Sequence, residues 1–254
     1  MDTFQRREVA KRVFAYELSK STYTTSEGDR TPKYVLTPTG EKCNRVFMVG
    51  VLLDKEEVKP DSNFWRIRIS DPTGVVTGFV GRYQPEALEA LGDIQPPVIL
   101  SIVAKLNIFE GETSKFLSIR PESINVTDTQ TRDYWVIETA KHTVERIKRL
   151  MDGADEDTKL AKDVYMTDIG EYLSMVEKAV TVIKEEAEIF SEEGRGDDRT
   201  DDIADESAGL KETEEVKTEV GEARTESSEI EDIDLEDFEF EEEEWDLSDI
   251  LEEE

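Results

Sequence analysis

Apolar and charged positions change their rhythm several times along the chain. Between Glu8 and Leu18, Val9, Val13 and Leu18, with Ala10 and Phe14 beside them, recur at helical spacing among basic and acidic neighbours. This predicts a short amphipathic helix within residues 1–20. Residues 21–41 contain Gly28, Pro32, Pro38 and Gly40 and read as a loop, interrupted by one extended piece at Tyr34, Val35 and Leu36. From Asn44 to Asp54 the chain turns apolar and β-branched, a first barrel strand with Gly50 where a bulge or sharp coil would sit. Residues Asn63 to Ser70 alternate Trp65, Ile67 and Ile69 with Arg66 and Arg68, and the turn Asp71-Pro72-Thr73-Gly74 leads into Val75 to Tyr83. These form a hairpin, the second and third strands.

Pro85 to Gly92 has proline at the first helical position and glycine past the end, and Pro96-Pro97 stops it. Val98 to Phe109 predicts a fourth strand, Glu110 to Glu112 a turn, and Lys115 to Arg120 a fifth strand ending at Pro121. Three strands, a helix and two strands is the connectivity of the OB-fold, a five-stranded Greek-key barrel. An SH3-like barrel is the structural rival, but it lacks the helix between the third and fourth strands. The expected class is mainly β with flanking helices, the OB domain covering residues 21–127.

Past the barrel, Val136, Ala140, Val144, Ile147 and Met151 make one apolar stripe along a predicted helix over 132–151. Packing on its own barrel and pairing with helices of other subunits both account for such a stripe. The second reading makes these five residues an assembly interface. Within residues 152–190, Ile169 to Phe190 places Tyr172, Leu173, Val176, Val180, Ile183, Ala187 and Phe190 on one side of a further helix. The acidic stretch Asp152 to Asp157 then joins two arms of a helical hairpin.

Several short motifs fall in a telling order. They are Arg7-Glu8-Val9-Ala10-Lys11-Arg12-Val13-Phe14, Thr37-Pro38-Thr39-Gly40, Asn44-Arg45-Val46-Phe47 with Val49-Gly50-Val51, Trp65-Arg66, the Asp71 to Gly74 turn, and Tyr83-Gln84-Pro85-Glu86-Ala87. Trp135-Val136-Ile137-Glu138-Thr139-Ala140 follows, with Thr143 and Arg146. Over roughly residues 7 to 150 the chain resembles the archaeal replication protein A-associated family, single-OB proteins similar to the small or middle subunit of replication protein A. The resemblance implies a non-catalytic subunit of a single-stranded DNA-binding complex in replication, recombination and repair, partnered by a larger replication protein A-like OB subunit.

Charge divides the chain. Residues 1–151 carry 22 basic and 21 acidic side chains, whereas residues 191–254 carry 5 and 30. A salt-adapted composition would acidify the folded part as well, so the acidity belongs to the tail. Its composition cannot bury enough apolar surface to offset chain entropy, and disorder is expected over 191–254. Within the tail, Phe238, Phe240, Trp245, Leu247, Ile250 and Leu251 stand among carboxylates. That pattern suits an acidic-aromatic docking peptide that recruits replication or repair enzymes, a cover for the chain's own basic face, or a solvating run.

Catalysis has no visible basis. The chain has one cysteine, Cys43, and one histidine, His142, and lacks a nucleophile motif or a glycine-rich phosphate loop. No cofactor or metal is expected. No apolar run approaches a membrane span and the start is amphipathic, so a cytoplasmic, nucleoid-associated protein without membrane contact is expected. OB barrels hold single strands across the second and third strands with basic and aromatic side chains. The candidate DNA contacts are Arg66, Arg68, Phe79, Lys105, Phe109, Lys115 and Phe116, with Phe109 and Phe116 set to flank a base. Phe79 and Trp65 also read as hydrophobic core or subunit interface, Trp65 more readily than Phe79. The nearly balanced charge of residues 1–151 predicts weak binding by the chain alone and argues against an RNA-binding role. A protein-binding adaptor is the alternative.

Overall fold

The computed structural model describes residues 8–25, 33–60, 62–110 and 115–193. The expected disordered tail lies outside them. The elements are α1 (Ala15–Ser19), β1 (Tyr23–Thr25), β2 (Tyr34–Leu36), β3 (Lys42–Cys43), β4 (Arg45–Glu57), β5 (Trp65–Asp71), β6 (Gly74–Val80), α2 (Pro85–Asp93), β7 (Val98–Glu110), β8 (Lys115–Val126), α3 (Thr129–Asp152), α4 (Glu156–Tyr165) and α5 (Ile169–Glu193). Strands β4-β5-β6-β8-β7 close into a barrel, and the short strands β1-β2-β3 form a separate sheet. All barrel pairs are antiparallel except the closing contact, where Gly78 of β6 meets Ile119 of β8 in parallel. With α2 between the third and fourth barrel strands, this is the OB-fold. Helices α3 to α5 follow the barrel.

The period-2 alternation is what fills the barrel. Ile67 and Ile69 of β5, Val76 and Val80 of β6, and Leu100 and Ile102 of β7 are buried on the inside. Gly50 is fixed by proximity: a Cβ there would stand 2.5 Å from the Ser70 carbonyl oxygen. The β4 bulge instead falls three residues on, where Leu53 is the unpaired residue between Leu52 and Asp54. Strand β4 also runs to Glu57 rather than stopping at Asp54, because its charged end pairs residue for residue with β5, Glu56 opposite Arg66. Strand β8 likewise continues past Pro121 to Val126. A bulge at Glu122 lets Ala104 pair with Pro121 and Val103 with Ser123, so the missing proline N–H does not end the ladder.

The predicted N-terminal helix shrinks to one turn. Residues before it run extended, with Lys11 bridged in parallel to Val46, its N–H donating to the Arg45 carbonyl at 2.9 Å. Val13, Phe14 and Leu18 are buried all the same, because the segment is pressed between the barrel and α3. The helical hairpin expected after the barrel is three helices. Helix α4 occupies the middle of the stretch, opened by a capping box in which Asp155 and Thr158 exchange hydrogen bonds. On α5, Tyr172, Val176 and Ile183 are buried together with Met175 and Ala179, while Leu173, Val180 and Ala187 of the predicted face are exposed.

Two polar pins fasten these parts. The Arg146 guanidinium of α3 pairs with the Glu17 carboxylate at 2.7 Å and donates to Thr39 Oγ1 at 2.8 Å, all three side chains being buried; Thr39 in turn donates to Glu17. Asp71 opens the β5–β6 turn and accepts from the N–H groups of Ala15 at 2.7 Å, Thr73 at 2.7 Å and Gly74 at 3.2 Å. It thereby caps the start of α1 from another part of the chain. Burial pushes the Asp71 carboxyl above its ordinary range, and those hydrogen bonds oppose the shift. Trp135 docks α3 on the barrel, its indole N–H donating to the Phe47 carbonyl at 2.9 Å and its ring edge-on to Phe14 at 5.6 Å.

Candidate nucleic-acid interface

The inward pair Ile67 and Ile69 forces Arg66 and Arg68 onto the outer face of β5. Across the ladder, Phe79 of β6 lies opposite Arg66 and Thr77 opposite Arg68. Three of the predicted contacts, Arg66, Arg68 and Phe79, therefore share one face. Each arginine is engaged from the neighbouring strand: Arg66 Nη2 donates to Glu56 at 2.6 Å and Arg68 Nε to Asp54 at 2.7 Å. The Asp54 hydrogen bond raises the Arg68 pKa. Phe79 is only 8% exposed, because Phe64 lies parallel on it with centroids 5.7 Å apart and planes at 8°. Trp65 takes another role. It packs against the core under Lys55, whose ammonium stands 5.4 Å from the ring and donates to the Leu91 and Gly92 carbonyls at the end of α2.

The other four predicted contacts lie on the β7–β8 hairpin. Pairing of β7 with β4 ends at Lys105, and beyond it β7 and β8 continue as a two-stranded arm. Lys105, Phe109 and Phe116 point to one face of this arm. Phe109 and Phe116 are directly opposed and stacked on each other, centroids 5.4 Å apart at 21°. This corrects the expectation that they flank a base: rings in contact offer a stacked surface with no slot between them. Lys115 alternates to the opposite face from Phe116. The turn residues 111–114 lie outside the described residues.

Of the predicted assembly stripe, Val136, Ala140 and Ile147 are buried in the core that the chain shares among its barrel, α3 and α5, and Val144 is half-buried. Met151 leaves the stripe and is 58% exposed. A shallow groove runs between α3 and α5, lined by Ile137, Ala140, Val144, Val176 and Val180 with Lys141 and Lys148 at its rim. The tail residues Phe238, Phe240, Trp245, Leu247, Ile250 and Leu251 lie outside the described residues.

Among the described residues no group of three or more His, Cys, Asp or Glu side chains is placed to hold a metal ion, and no helix is long and apolar enough to cross a membrane. Cys43 is buried, and its thiol is pushed up to about 12 mainly by that burial, the opposite of an activated nucleophile. Sequence reasoning missed Phe64, Arg82 and Tyr83, and the carboxylates that hold the two arginines. One signal was available: Phe64 shares the parity of Arg66 and Arg68, so the same alternation extended by one step places it on their face.

No protein-family model and no curated protein matches the chain. Among solved structures, it is similar to a chain of a replication protein A heterotrimer bound to single-stranded DNA, with TM-score 0.40 and 11% identity over 55% of this chain and 98% of that one. It is also similar to a mitochondrial single-stranded DNA-binding protein of S. cerevisiae, with TM-score 0.27 and 17% identity over 34% of this chain and 94% of that one. An aspartyl-tRNA synthetase of Entamoeba histolytica is similar with TM-score 0.28 and 15% identity, over 32% of this chain and 18% of that one. The assignment of the OB-fold rests on strand order and on the position of α2.

Proposed function

We propose that the chain is a non-catalytic subunit of a single-stranded DNA-binding complex of the replication protein A kind, working in replication, recombination and repair. The observation that carries this reading is the outer face of β5 and β6, where Arg66 and Arg68 lie beside the stacked Phe64–Phe79 pair. Such a face offers cations to a sugar-phosphate backbone and aromatic surface to bases. Binding by the chain alone is weak, because Glu56 and Asp54 already occupy the two guanidinium groups. The groove between α3 and α5 receives a larger OB subunit, and the acidic-aromatic tail recruits replication or repair enzymes. The place of action is the nucleoid of the cytoplasm.

The self-neutralised arginines favour a second reading, an adaptor whose barrel binds protein and leaves the DNA to its partner. Fluorescence anisotropy of labelled oligo-dT separates the two. Salt-sensitive, sequence-tolerant binding by the full chain, weakened by Arg66→Ala with Arg68→Ala, supports the first. Binding that appears only with a partner and ignores both arginines supports the second.

A further inference from the structure

At the open end of the β5–β6 hairpin the chain gathers aromatic and cationic groups that the fold does not require there. Phe79, near the end of β6, carries Phe64 stacked upon it. Phe64 also overlies Gly81, where an added Cβ would stand 2.9 Å from its ring. A turn then follows, in which the Gly81 N–H donates to Gln84 Oε1 at 3.1 Å and the Gln84 N–H to the Gly81 carbonyl at 2.9 Å. The residues this turn throws outward are Arg82 and Tyr83. Tyr83 is 67% exposed. The Arg82 guanidinium lies 4.7 Å from its ring centroid and donates to its hydroxyl at 2.6 Å, so the ring is braced in place while most of its surface meets solvent.

We propose that Tyr83, held by Arg82, is a stacking station for an unpaired nucleobase at one end of the β5–β6 face; this rests on the single-strand reading above. The chemistry differs along the face. At Arg66 and Arg68 a phosphate must displace a carboxylate before it gains a contact. At Tyr83 a base displaces only water, and the ring loses little freedom because Arg82 already fixes it. Stacking uses the π-face common to all bases, so the station accepts any base, on deoxyribose or ribose. Tyr83 follows Phe79 by four residues, in the turn between the last residue of β6 and the start of α2.

The test uses the full chain with fluorescein-labelled oligo-dT and oligo-U, read by anisotropy over a series of salt concentrations. For whichever of these the wild-type chain binds, Tyr83→Ala should weaken binding about tenfold, equal to about 1.4 kcal/mol and within the range for one stacked base. The salt slope should stay unchanged, because no phosphate contact is removed. Tyr83→Trp should bind at least as tightly as wild type. Tyr83→Ala within twofold of wild type would overturn the station and leave the single-strand reading standing. Equal losses in Tyr83→Ala and Tyr83→Trp would also overturn it, since they would reflect backbone disturbance. No binding by the wild-type chain to either polymer would overturn both.

Discussion

Removing the carboxylates that hold Arg66 and Arg68 should turn a weak DNA face into a stronger one. Asp54→Asn with Glu56→Gln keeps the shape of both side chains and leaves two guanidinium groups without their ionic partners. Both pairs are solvent-accessible, with neither partner less than 38% exposed, so each contributes roughly 0.2–1 kcal/mol to the fold. That same quantity opposes DNA, since a phosphate must break the pair before it binds. Releasing two pairs therefore returns about 0.4–2 kcal/mol, which is roughly a two- to thirtyfold gain in affinity. A second consequence is independent of the first. With both carboxylate charges gone, each arginine neutralises its phosphate without leaving a displaced anion beside it, which makes the salt slope of single-strand binding steeper by about 1.4, at roughly 0.7 per phosphate. Anisotropy of labelled oligo-dT from about 50 to about 200 mM salt measures both quantities. Adding Arg66→Ala and Arg68→Ala should erase the gain. If the double carboxamide variant keeps its melting temperature, and neither affinity nor slope moves, these arginines do not touch DNA and the adaptor reading takes over.

Three further outcomes are expected. Arg146→Met strands the Glu17 carboxylate in the core and should lower unfolding stability by about 3–5 kcal/mol, while adding Glu17→Leu should recover most of the loss in urea titrations. The Cys43 thiol keeps its proton in the fold up to about 12, against 9.0 unperturbed, so the unfolded chain loses that proton first; its contribution is intact below about pH 9 and falls by up to about 1.4 kcal/mol per pH unit between there and 12. Urea midpoints of Cys43→Ala should accordingly decline less over that range than those of the wild type, although Tyr16, also raised to about 12, keeps some slope. Ile137→Asp with Val180→Asp, at positions 41% and 38% exposed, should leave the melting temperature close to wild type and abolish co-purification with a larger OB subunit.

The barrel was legible because its interior is written in a period of two. Ile67 and Ile69 alternate with arginines, and the Asp71 to Gly74 turn and the Pro85 start of α2 mark where the rhythm breaks. The short elements were not legible. Val9, Val13 and Leu18 have helical spacing, yet contacts on more than one side bury most of an extended segment, and burial from several sides erases any single period. Helix α4 was lost to composition: Asp152 to Asp157 read as an acidic linker, although Asp155 three residues before Thr158 forms an N-terminal cap. The Pro121 stop failed because a bulge absorbed it. Opposed aromatics could be found by counting but not placed, since whether Phe109 and Phe116 flank or touch depends on a register that the sequence does not print.

Several of the residues that carry the family resemblance serve the architecture of the chain rather than the candidate site, although Arg66 and Tyr83 belong to both sets. Thr39 and Arg146, 107 positions apart, close one buried network with Glu17; Asp71 and Thr73 hold the start of α1; Trp135 seats α3 on β4. These groups fix how the N-terminal segment and α3 wrap the barrel, and they belong to its architecture whatever its outer face binds. The wrap also decides what an outside partner can reach. With Arg132 at the start of α3 paired to Glu186 of α5, and Val136, Ala140 and Ile147 already covered within the chain, the apolar groove left open between the two helices is shared by both, Ile137 and Val144 from one and Val180 from the other. On the proposed function, a subunit that docks on α3 would therefore meet α3 and α5 together. A fragment ending at Met151 would uncover core residues in place of that surface, so only the chain that retains α5 presents the face a partner would meet.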